Sequence, residues 1–248
     1  MLAGWLAAGL APDRFTVVDP YLAEAPAGVK LLRELPGGHF DAVLLGVKPQ
    51  LLGDVAPALT ALAGPQTTVL SILAGVELAS LRSRFPDAGA LVRIMPNLAA
   101  AIGKSPVALF AQGLDDAGQA AVTGLMAPLG TPEWLERENQ FDLVTALAGS
   151  GPAFVYRFID ALASGASALG LDPAQAQRLA LATVEGAAAL AATSPHSPGE
   201  LARRVASPGG VTQVGLDVLD ADQALARLVE ATLRGARNRS AEMARAAR

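Results

Sequence analysis

Four short runs rich in valine, leucine and isoleucine constrain the fold of this chain more than any other feature. They alternate with segments of helical spacing, and polar residues do not alternate with apolar ones inside them. Strands of this kind are covered on both faces, which is typical of a parallel sheet with helices on each side. We therefore predict a doubly wound α/β fold. Its strands are predicted at residues 15–19, 40–47, 67–72 and 90–95.

The chain changes character near residue 139. After this point the strand signals cease and long alanine-rich helical segments follow. We therefore predict two domains, an α/β domain over residues 1–138 and an all-helical domain over residues 139–248. The first domain is completed by helices predicted at 51–63, 76–85 and 115–126 and by two further strands at 107–111 and 133–135.

The predicted helical domain presents more small and apolar surface than one subunit readily buries. Asp172 should cap its second helix, with Pro173 at the first helical position. We expect the chain to self-associate as a homodimer or a larger homo-oligomer, and a self-contained bundle is the alternative. Helices are predicted at 153–169, 173–192 and 198–205, and two more after Gly210 and Asp222.

Composition excludes several classes of function. Cysteine is absent and histidine occurs only at His39 and His196, so we expect no disulfide, no thiolate nucleophile and no metal site. A net charge of −4 offers no basic surface for nucleic acid. No apolar run reaches the roughly 18 residues that span a bilayer, and residues 1–11 lack the basic start of a signal peptide. We expect a cytoplasmic protein that acts on a small molecule, without nucleic-acid or membrane partners.

Residues 207–212, Ser-Pro-Gly-Gly-Val-Thr, form the stretch that apolar packing explains least. Pro208 ends the preceding helix, and Gly209 and Gly210 leave a bare backbone that a ligand can approach closely. Because Thr212 opens an apolar helical run, the loop should lie at a helix N-terminus, where free N–H groups favour a small carboxylate. The alternative is a plain turn between helices with Thr212 as N-cap.

Five motifs occur together in an order that is typical of one enzyme family. They are Gly46-Val47-Lys48-Pro49-Gln50, Ser71-Ile72-Leu73-Ala74-Gly75, Arg93-Ile94-Met95-Pro96-Asn97, the stretch from Thr145 to Phe154 and the stretch from Val205 to Leu216. Over nearly its whole length the chain resembles pyrroline-5-carboxylate reductase. The resemblance implies a Rossmann-like dinucleotide-binding domain at 1–138 and a helical dimerisation and substrate domain at 139–248. It also implies reduction of 1-pyrroline-5-carboxylate to L-proline, the last step of proline biosynthesis, with NADPH or NADH.

The resemblance assigns roles to single residues of these motifs. Thr212 matches the family's hydroxyl beside the ring nitrogen of the substrate and is the catalytic candidate. The substrate carboxylate would be held by the backbone around Ser207, Gly209, Gly210, Val211 and Thr212. The cofactor-binding positions would be Gly46, Val47, Lys48, Pro49, Ile72, Leu73, Ala74 and Asn97.

Asp19 is the residue that bears on the choice of cofactor. It lies at the end of the strand predicted at 15–19, where an acidic residue can bond the ribose 2′-hydroxyl of NADH and repel the 2′-phosphate of NADPH. We therefore expect NADH to be used at least comparably to NADPH. The alternative is that Asp19-Pro20 is only a turn.

Two hypotheses about function stay open. Members of the family begin with a strand and a Gly-x-Gly-x-x-Gly turn, whereas residues 1–6 resemble the helix that follows this turn. In the first hypothesis the chain is the reductase and its start codon is assigned too far downstream. In the second it is a cofactor-deficient, dimer-forming relative with a structural or regulatory role. A related hydroxyacid dehydrogenase is disfavoured, because the loop at 207–212 matches the reductases.

Overall fold

The computed structural model of the chain describes residues 1–246, and its contacts divide it into two compact units. The first unit contains residues 1–150 and the chain from Gly235 onward, and the second contains residues 151–234. Compactness therefore groups residues 139–150 with the sheet rather than with the helices that follow. The predicted domain boundary between residues 138 and 139 stays a prediction.

Within residues 1–246, seven strands form the framework of the first unit, and every strand predicted from the sequence is present. One further strand, β2, is a Lys-Leu-Leu triplet too short to carry a periodic signal. The strands are β1 (Thr16–Val18), β2 (Lys30–Leu32), β3 (Ala42–Leu45), β4 (Thr68–Ser71), β5 (Ala90–Met95), β6 (Ser105–Gln112) and β7 (Gly130–Trp134).

The main sheet has the order β3-β4-β5-β6-β7. The sequence predicts a parallel sheet, but the sheet in the structure is not wholly parallel. The neighbours β3–β4, β4–β5 and β6–β7 are parallel, but β5 and β6 are antiparallel. The reason is the length of the connection. A parallel crossover needs a dozen residues or more, and the link at 96–104 holds only a short 3₁₀ turn, Leu98–Ile102.

The strands β1 and β2 form a separate parallel pair. Within residues 1–246, one edge of β1 and the edge of β3 that faces away from β4 pair with no strand. Apolar side chains on these two strands remain half exposed, with Val18 and Leu44 each 37% accessible. By contrast, β5 is buried along its whole length. Within residues 1–246, β1 and β3 are thus edge strands of two separate sheets, whereas the centre of the main sheet at β5 is fully packed.

Helices cover both faces of the main sheet. One apolar cluster contains Val69, Leu81, Phe85 and Leu91, and a second contains Trp5, Leu70, Val92 and Leu109. In the second cluster the indole Nε1 of Trp5 donates to the carbonyl oxygen of Leu125 at 2.6 Å. The helices of this unit are α1 (Leu2–Ala7), α2 (Leu52–Leu59), α3 (Leu78–Arg84), α4 (Asp116–Met126) and α5 (Phe141–Val144).

The second unit is helical throughout, as predicted. Its helices are α6 (Gly151–Ala168), α7 (Pro173–Thr193), α8 (Pro198–Val205), α9 (Val211–Asp220) and α10 (Ala224–Ala246), and the end of α10 from Gly235 belongs to the first unit. Asp172 caps α7 by accepting from the N–H of Gln175 at 2.9 Å. Small residues, Ala163, Ala176 and Ala180, form the contact between α6 and α7. Most leucines and valines of these helices stay exposed.

Candidate active site

The carboxyl ends of β3, β4 and β5 place three of the sequence motifs along one edge of the main sheet. In the register of the ladders, Leu45 lies opposite Ser71 and Ser71 lies opposite Arg93. Because neighbouring strands are about 4.8 Å apart, the loops that follow these residues start side by side. Open α/β sheets bind their ligands at this edge.

The loop after β3 carries Gly46, Val47, Lys48 and Pro49. A side chain at Gly46 would meet no atom within 4 Å, so the backbone here is open to close approach. Val47 packs partly against the apolar core, whereas Lys48 is exposed. The carbonyl of Lys48 accepts from the N–H of Leu51 at 2.9 Å, which fixes the start of the 3₁₀ turn at Pro49. The Lys48 side chain has no hydrogen-bond or ion-pair partner among residues 1–246, so its ammonium group can face an anionic or amide group.

The loop after β4 presents its backbone more than its side chains. Leu73 is only 3% exposed and belongs to the apolar core beneath the loop, so it can contact a ligand only through its main chain. Ala74 is exposed at the tip. Gly75 follows with φ +78°, a conformation that side chains disfavour. At the tip of this loop, therefore, the methyl group of Ala74 and the backbone around it are exposed, whereas the side chain of Leu73 is not.

Asn97, two residues beyond β5, uses its side chain to bond the protein itself. Its Oδ1 accepts from the N–H of Ala99 at 2.9 Å, and its Nδ2 donates to the carbonyl of Ala148 at 3.0 Å. Ala148 lies in a five-residue π-helical segment, Thr145–Gly149, inside the fourth motif. Segments of this kind are frequent at functional sites. A cofactor contact by Asn97 stays a prediction, and its observed role is to tie two motifs together.

Asp19 follows β1, and its carboxylate forms a local turn. The Oδ1 atom accepts from the N–H groups of Tyr21 at 2.8 Å and Leu22 at 3.0 Å. These two bonds hold the pKa of the Asp19 carboxyl below its ordinary value, with a smaller contribution from Arg33. The carboxylate is therefore charged at neutral pH. Asp19 thus forms the turn that the alternative predicted, and its Oδ2 atom takes no part in these two bonds.

The loop at 207–212 lies in the second unit. The N–H of Gly210 donates to the carbonyl of Ser207 at 2.9 Å, and Gly209 has φ +68°, as the third position of a type II turn requires. The helix α9 begins at Val211 with Gly210 as N-cap, and within residues 1–246 no side chain caps it. The first-turn N–H groups are thus available to a carboxylate.

Thr212 is not the N-cap of α9. The alternative reading placed it there, but the cap is Gly210 and Thr212 is the second residue inside the helix. The physical reason is that Gly210 has extended backbone angles, φ −80° and ψ 169°, which an N-cap needs and a helical residue does not have. The Thr212 side chain is exposed, and its hydroxyl has no hydrogen-bond partner among the described residues.

Sequence reasoning missed a charged cluster behind the loop after β4. The buried Arg93 pairs with Glu138 and lies over the ring of Phe141. The signal was present, because Arg93 interrupts an otherwise apolar strand and buried charges need partners. Its partner could not be identified from spacing alone.

Metal-ligand clusters and membrane-spanning helices are not found in the part of the chain that the structure describes. No three His, Cys, Asp or Glu side chains of residues 1–246 come together as a metal site would require. Of the helices in that range, none is long and apolar enough to cross a membrane.

The doubly wound sheet, with its motif-bearing loops at the carboxyl ends of the strands, defines a Rossmann-type dinucleotide-binding protein. Pyrroline-5-carboxylate reductase of Pseudomonas aeruginosa is 38% identical over 205 residues, which cover 82% of this chain and 75% of the relative. The enzyme of Pasteurella multocida is 32% identical over 98% of this chain and 92% of its own. The chain belongs to the pyrroline-5-carboxylate reductase family.

Two further comparisons agree with this family. The model described as pyrroline-5-carboxylate reductase dimerisation matches residues 138–243. The solved structure of a pyrroline-5-carboxylate reductase from Coxiella burnetii has a TM-score of 0.89 at 30% identity and covers 97% of this chain and 92% of its own. The helical region after residue 138 is therefore a dimerisation domain.

Proposed function

We infer that the protein is a pyrroline-5-carboxylate reductase, which reduces 1-pyrroline-5-carboxylate to L-proline with NADPH or NADH. The observation that carries this conclusion is family membership over most of the chain, at 32–38% identity to the two relatives described above. The loops after β3 and β4 support it, since they fall at the edge of the sheet where dinucleotides bind.

The nicotinamide end of the cofactor fits the residues present, whereas the pyrophosphate end lacks a counterpart. The open backbone at Gly46 and the exposed Ala74 leave room for a flat ring, and Lys48 can face its amide. No Gly-x-Gly-x-x-Gly turn occurs in the sequence. When bound, the reduced nicotinamide supplies the hydride. We propose Gly46 to Pro49, Ile72 to Ala74 and Asn97 as its surroundings, and Asp19 for the ribose.

The residues of the loop at 207–212 would orient the substrate rather than attack it. We propose that the N–H groups around Ser207, Gly209, Gly210 and Val211 hold the carboxylate at the start of α9, although the N–H of Gly210 already donates to the carbonyl of Ser207. The hydroxyl of Thr212 would bond the ring nitrogen, whose charge changes when the imine carbon is reduced. Orientation and one such bond suffice for this chemistry, because no protein nucleophile takes part. Thr212, with its unpartnered hydroxyl, can fill this role without losing a structural bond.

The proposal extends to organisation and location. We propose that the dinucleotide-binding domain spans residues 1–138 and that the dimerisation and substrate domain spans 139–248. The cytoplasmic location predicted from the sequence belongs to the same proposal, because the reaction needs a compartment that supplies reduced nicotinamide nucleotides.

The activity is tested by incubating the purified protein with 1-pyrroline-5-carboxylate and either NADPH or NADH. We expect L-proline to form in proportion to the loss of reduced-nicotinamide absorbance. A folded, dimeric preparation that forms no proline with either cofactor would contradict the assignment.

One observation favours a second candidate, a cofactor-deficient dimeric relative. The open edges of β1 and β3 leave the sheet in two parts within residues 1–246. The two candidates differ in cofactor binding. Calorimetric titration that finds a dimer without measurable affinity for NADPH or NADH would favour the structural or regulatory role.

A further inference from the structure

Arg93, Glu138 and Phe141 form a charged cluster outside the proposed site. Arg93 is a β5 residue whose side chain is only 8% exposed. Its Nη1 lies 2.8 Å from Oε1 of Glu138, and its guanidinium carbon lies 4.2 Å from the centre of the Phe141 ring. A buried guanidinium needs such a partner, because an unpaired charge in this position is strongly destabilising.

The same carboxylate oxygen of Glu138 has a second partner. It accepts from the backbone N–H of Leu78, the first residue of α3, at 2.7 Å. A negative charge at this end of a helix also interacts favourably with the helix dipole. Glu138 therefore joins the start of α3 to β5, the strand that follows α3 in the chain.

The segment that Glu138 fixes is the loop from Ile72 to Glu77, which joins β4 to α3. At the beginning of the loop, the N–H of Ile72 donates to the carbonyl of Leu45 at 3.4 Å, and the N–H of Leu73 donates to Oγ of Ser71 at 3.3 Å. At its end, the N–H of Leu78 donates to Oε1 of Glu138 at 2.7 Å, and the side chains of Val76 and Leu78 are buried in the apolar core.

The middle of this loop lies against the end of α10. A Cβ atom placed on Gly75 would lie 3.0 Å from Cα of Ala244, so the two backbones touch and leave no room for a side chain. Near this contact, the hydroxyl of Ser240 donates to Oδ1 of Asp142 at 2.7 Å. The loop is therefore held at both ends and supported in the middle by residues outside the sequence motifs.

We propose that Glu138 is a positioning residue for the loop from Ile72 to Glu77. This inference rests on the proposed function, in which Ile72, Leu73 and Ala74 face the cofactor. Without the carboxylate, the N–H of Leu78 loses its acceptor and the guanidinium of Arg93 loses its ion-pair partner, so the end of the loop is held less firmly. The loop then adopts its binding conformation for only part of the time. Cofactor affinity then falls in proportion to the fraction of time that the loop spends in its binding conformation. Binding of the imine at the α9 loop is not directly affected.

The test compares Glu138→Ala and Glu138→Gln with the matched control Glu136→Gln, which changes an exposed glutamate two residues away. Amide hydrogen exchange over residues 72–78 reports the loop, and steady-state kinetics report its effect on the two substrates. We expect exchange in Glu138→Ala to be at least about tenfold faster at these amides than in the wild type. We expect KM for the cofactor to rise about fivefold or more, with KM for the imine within about twofold.

The exchange rates at residues 72–78 and the KM for the cofactor in Glu138→Gln should lie between those of the wild type and the alanine variant. Its amide oxygen can still accept from the N–H of Leu78, but it does not neutralise Arg93. This variant also covers the case in which Glu138→Ala fails to fold. The control should behave as the wild type in both measurements.

Three results would overturn the proposal. The first is unchanged exchange at residues 72–78 in both Glu138 variants. The second is faster exchange spread evenly over the first unit, as a general loss of stability would produce. The third is an equal rise of both KM values. A wild-type protein without reductase activity would refute the proposed function instead, and the exchange data would still decide whether Glu138 holds the loop.

Discussion

At the scale of single residues, Thr212 offers the sharpest test of the chemistry. Replacing it with alanine should lower kcat/KM for the imine about 10²-fold or more, the scale of one lost transition-state hydrogen bond. The thermal midpoint should hardly change, because Thr212 is exposed and Gly210 is the cap of α9. Thr212→Ser keeps the hydroxyl and should retain much more activity. Steady-state kinetics and thermal unfolding of both variants decide the matter, and normal turnover in the alanine variant would rule out a catalytic role.

Asp19 decides a second residue-scale question, the choice between the two cofactors. Asp19→Asn keeps a side-chain oxygen for the N–H groups of Tyr21 and Leu22, so the turn is preserved while the charge is removed. If the carboxylate repels the 2′-phosphate, the ratio of kcat/KM for NADPH to that for NADH should rise about tenfold. The ratio is measured with purified enzyme at neutral pH, where the lowered pKa keeps Asp19 charged in the wild type. An unchanged ratio would leave Asp19 as a turn residue only.

At the scale of secondary-structure elements, the open edges of β1 and β3 are the most informative feature. Each strand presents unpaired backbone groups and a half-exposed apolar residue, Val18 or Leu44, within the described chain. A parallel strand that pairs with both edges would join the two sheets, and the turn after it would bring N–H groups to the start of α1. That position suits a pyrophosphate.

A protein extended before Met1 by a strand and a Gly-x-Gly-x-x-Gly turn should therefore bind NADPH more tightly than the chain alone. We expect a gain of at least about tenfold in affinity, since the turn supplies the backbone groups that hold the pyrophosphate. Calorimetric titration of the two proteins provides the comparison, with a Gly-to-Val substitution in the added turn as the control. Equal and tight binding by both would show that the turn is dispensable.

At the scale of the whole molecule, the exposed apolar side chains of the dimerisation domain predict how the protein assembles. On α9, Val211, Val214 and Val218 follow helical spacing and are 93%, 60% and 71% exposed. A stripe of this kind is unusual on a monomer and suits an interface between two copies. Because α9 begins at the loop proposed to bind the substrate, an interface on this stripe would share the helix with the proposed site.

Val218→Asp should accordingly raise the dissociation constant of the dimer at least about tenfold, because a charge replaces an apolar side chain in the interface. Analytical ultracentrifugation over a range of protein concentrations measures this shift. Tyr21→Asp provides the control, since Tyr21 is 93% exposed in the first unit and the chemical change is similar. An unaltered dimer in Val218→Asp would place the interface elsewhere in the family's dimerisation domain.

The sequence by itself determined the fold class, six of the seven strands in the described part of the chain, the long helices and the order of the motif-bearing loops. It could do so because continuous apolar runs, helical spacing, the Asp172 cap and the glycine-proline turn at 208–210 are all local signals. The order of the motifs was likewise sufficient to identify the family. Local patterns also predicted that the loop at 207–212 begins a helix, although not which residue caps it.

Only the tertiary structure decided the antiparallel direction of β6, the burial of Leu73 beneath its loop and the bond that ties Asn97 to the motif at 145–154. It also brought Arg93 and Glu138 together, two charges far apart in sequence that share one buried site. The physical reason is the same in each case. Direction, burial and ion pairing depend on contacts between segments distant in the chain, and a contact of this kind leaves no periodic trace in either segment.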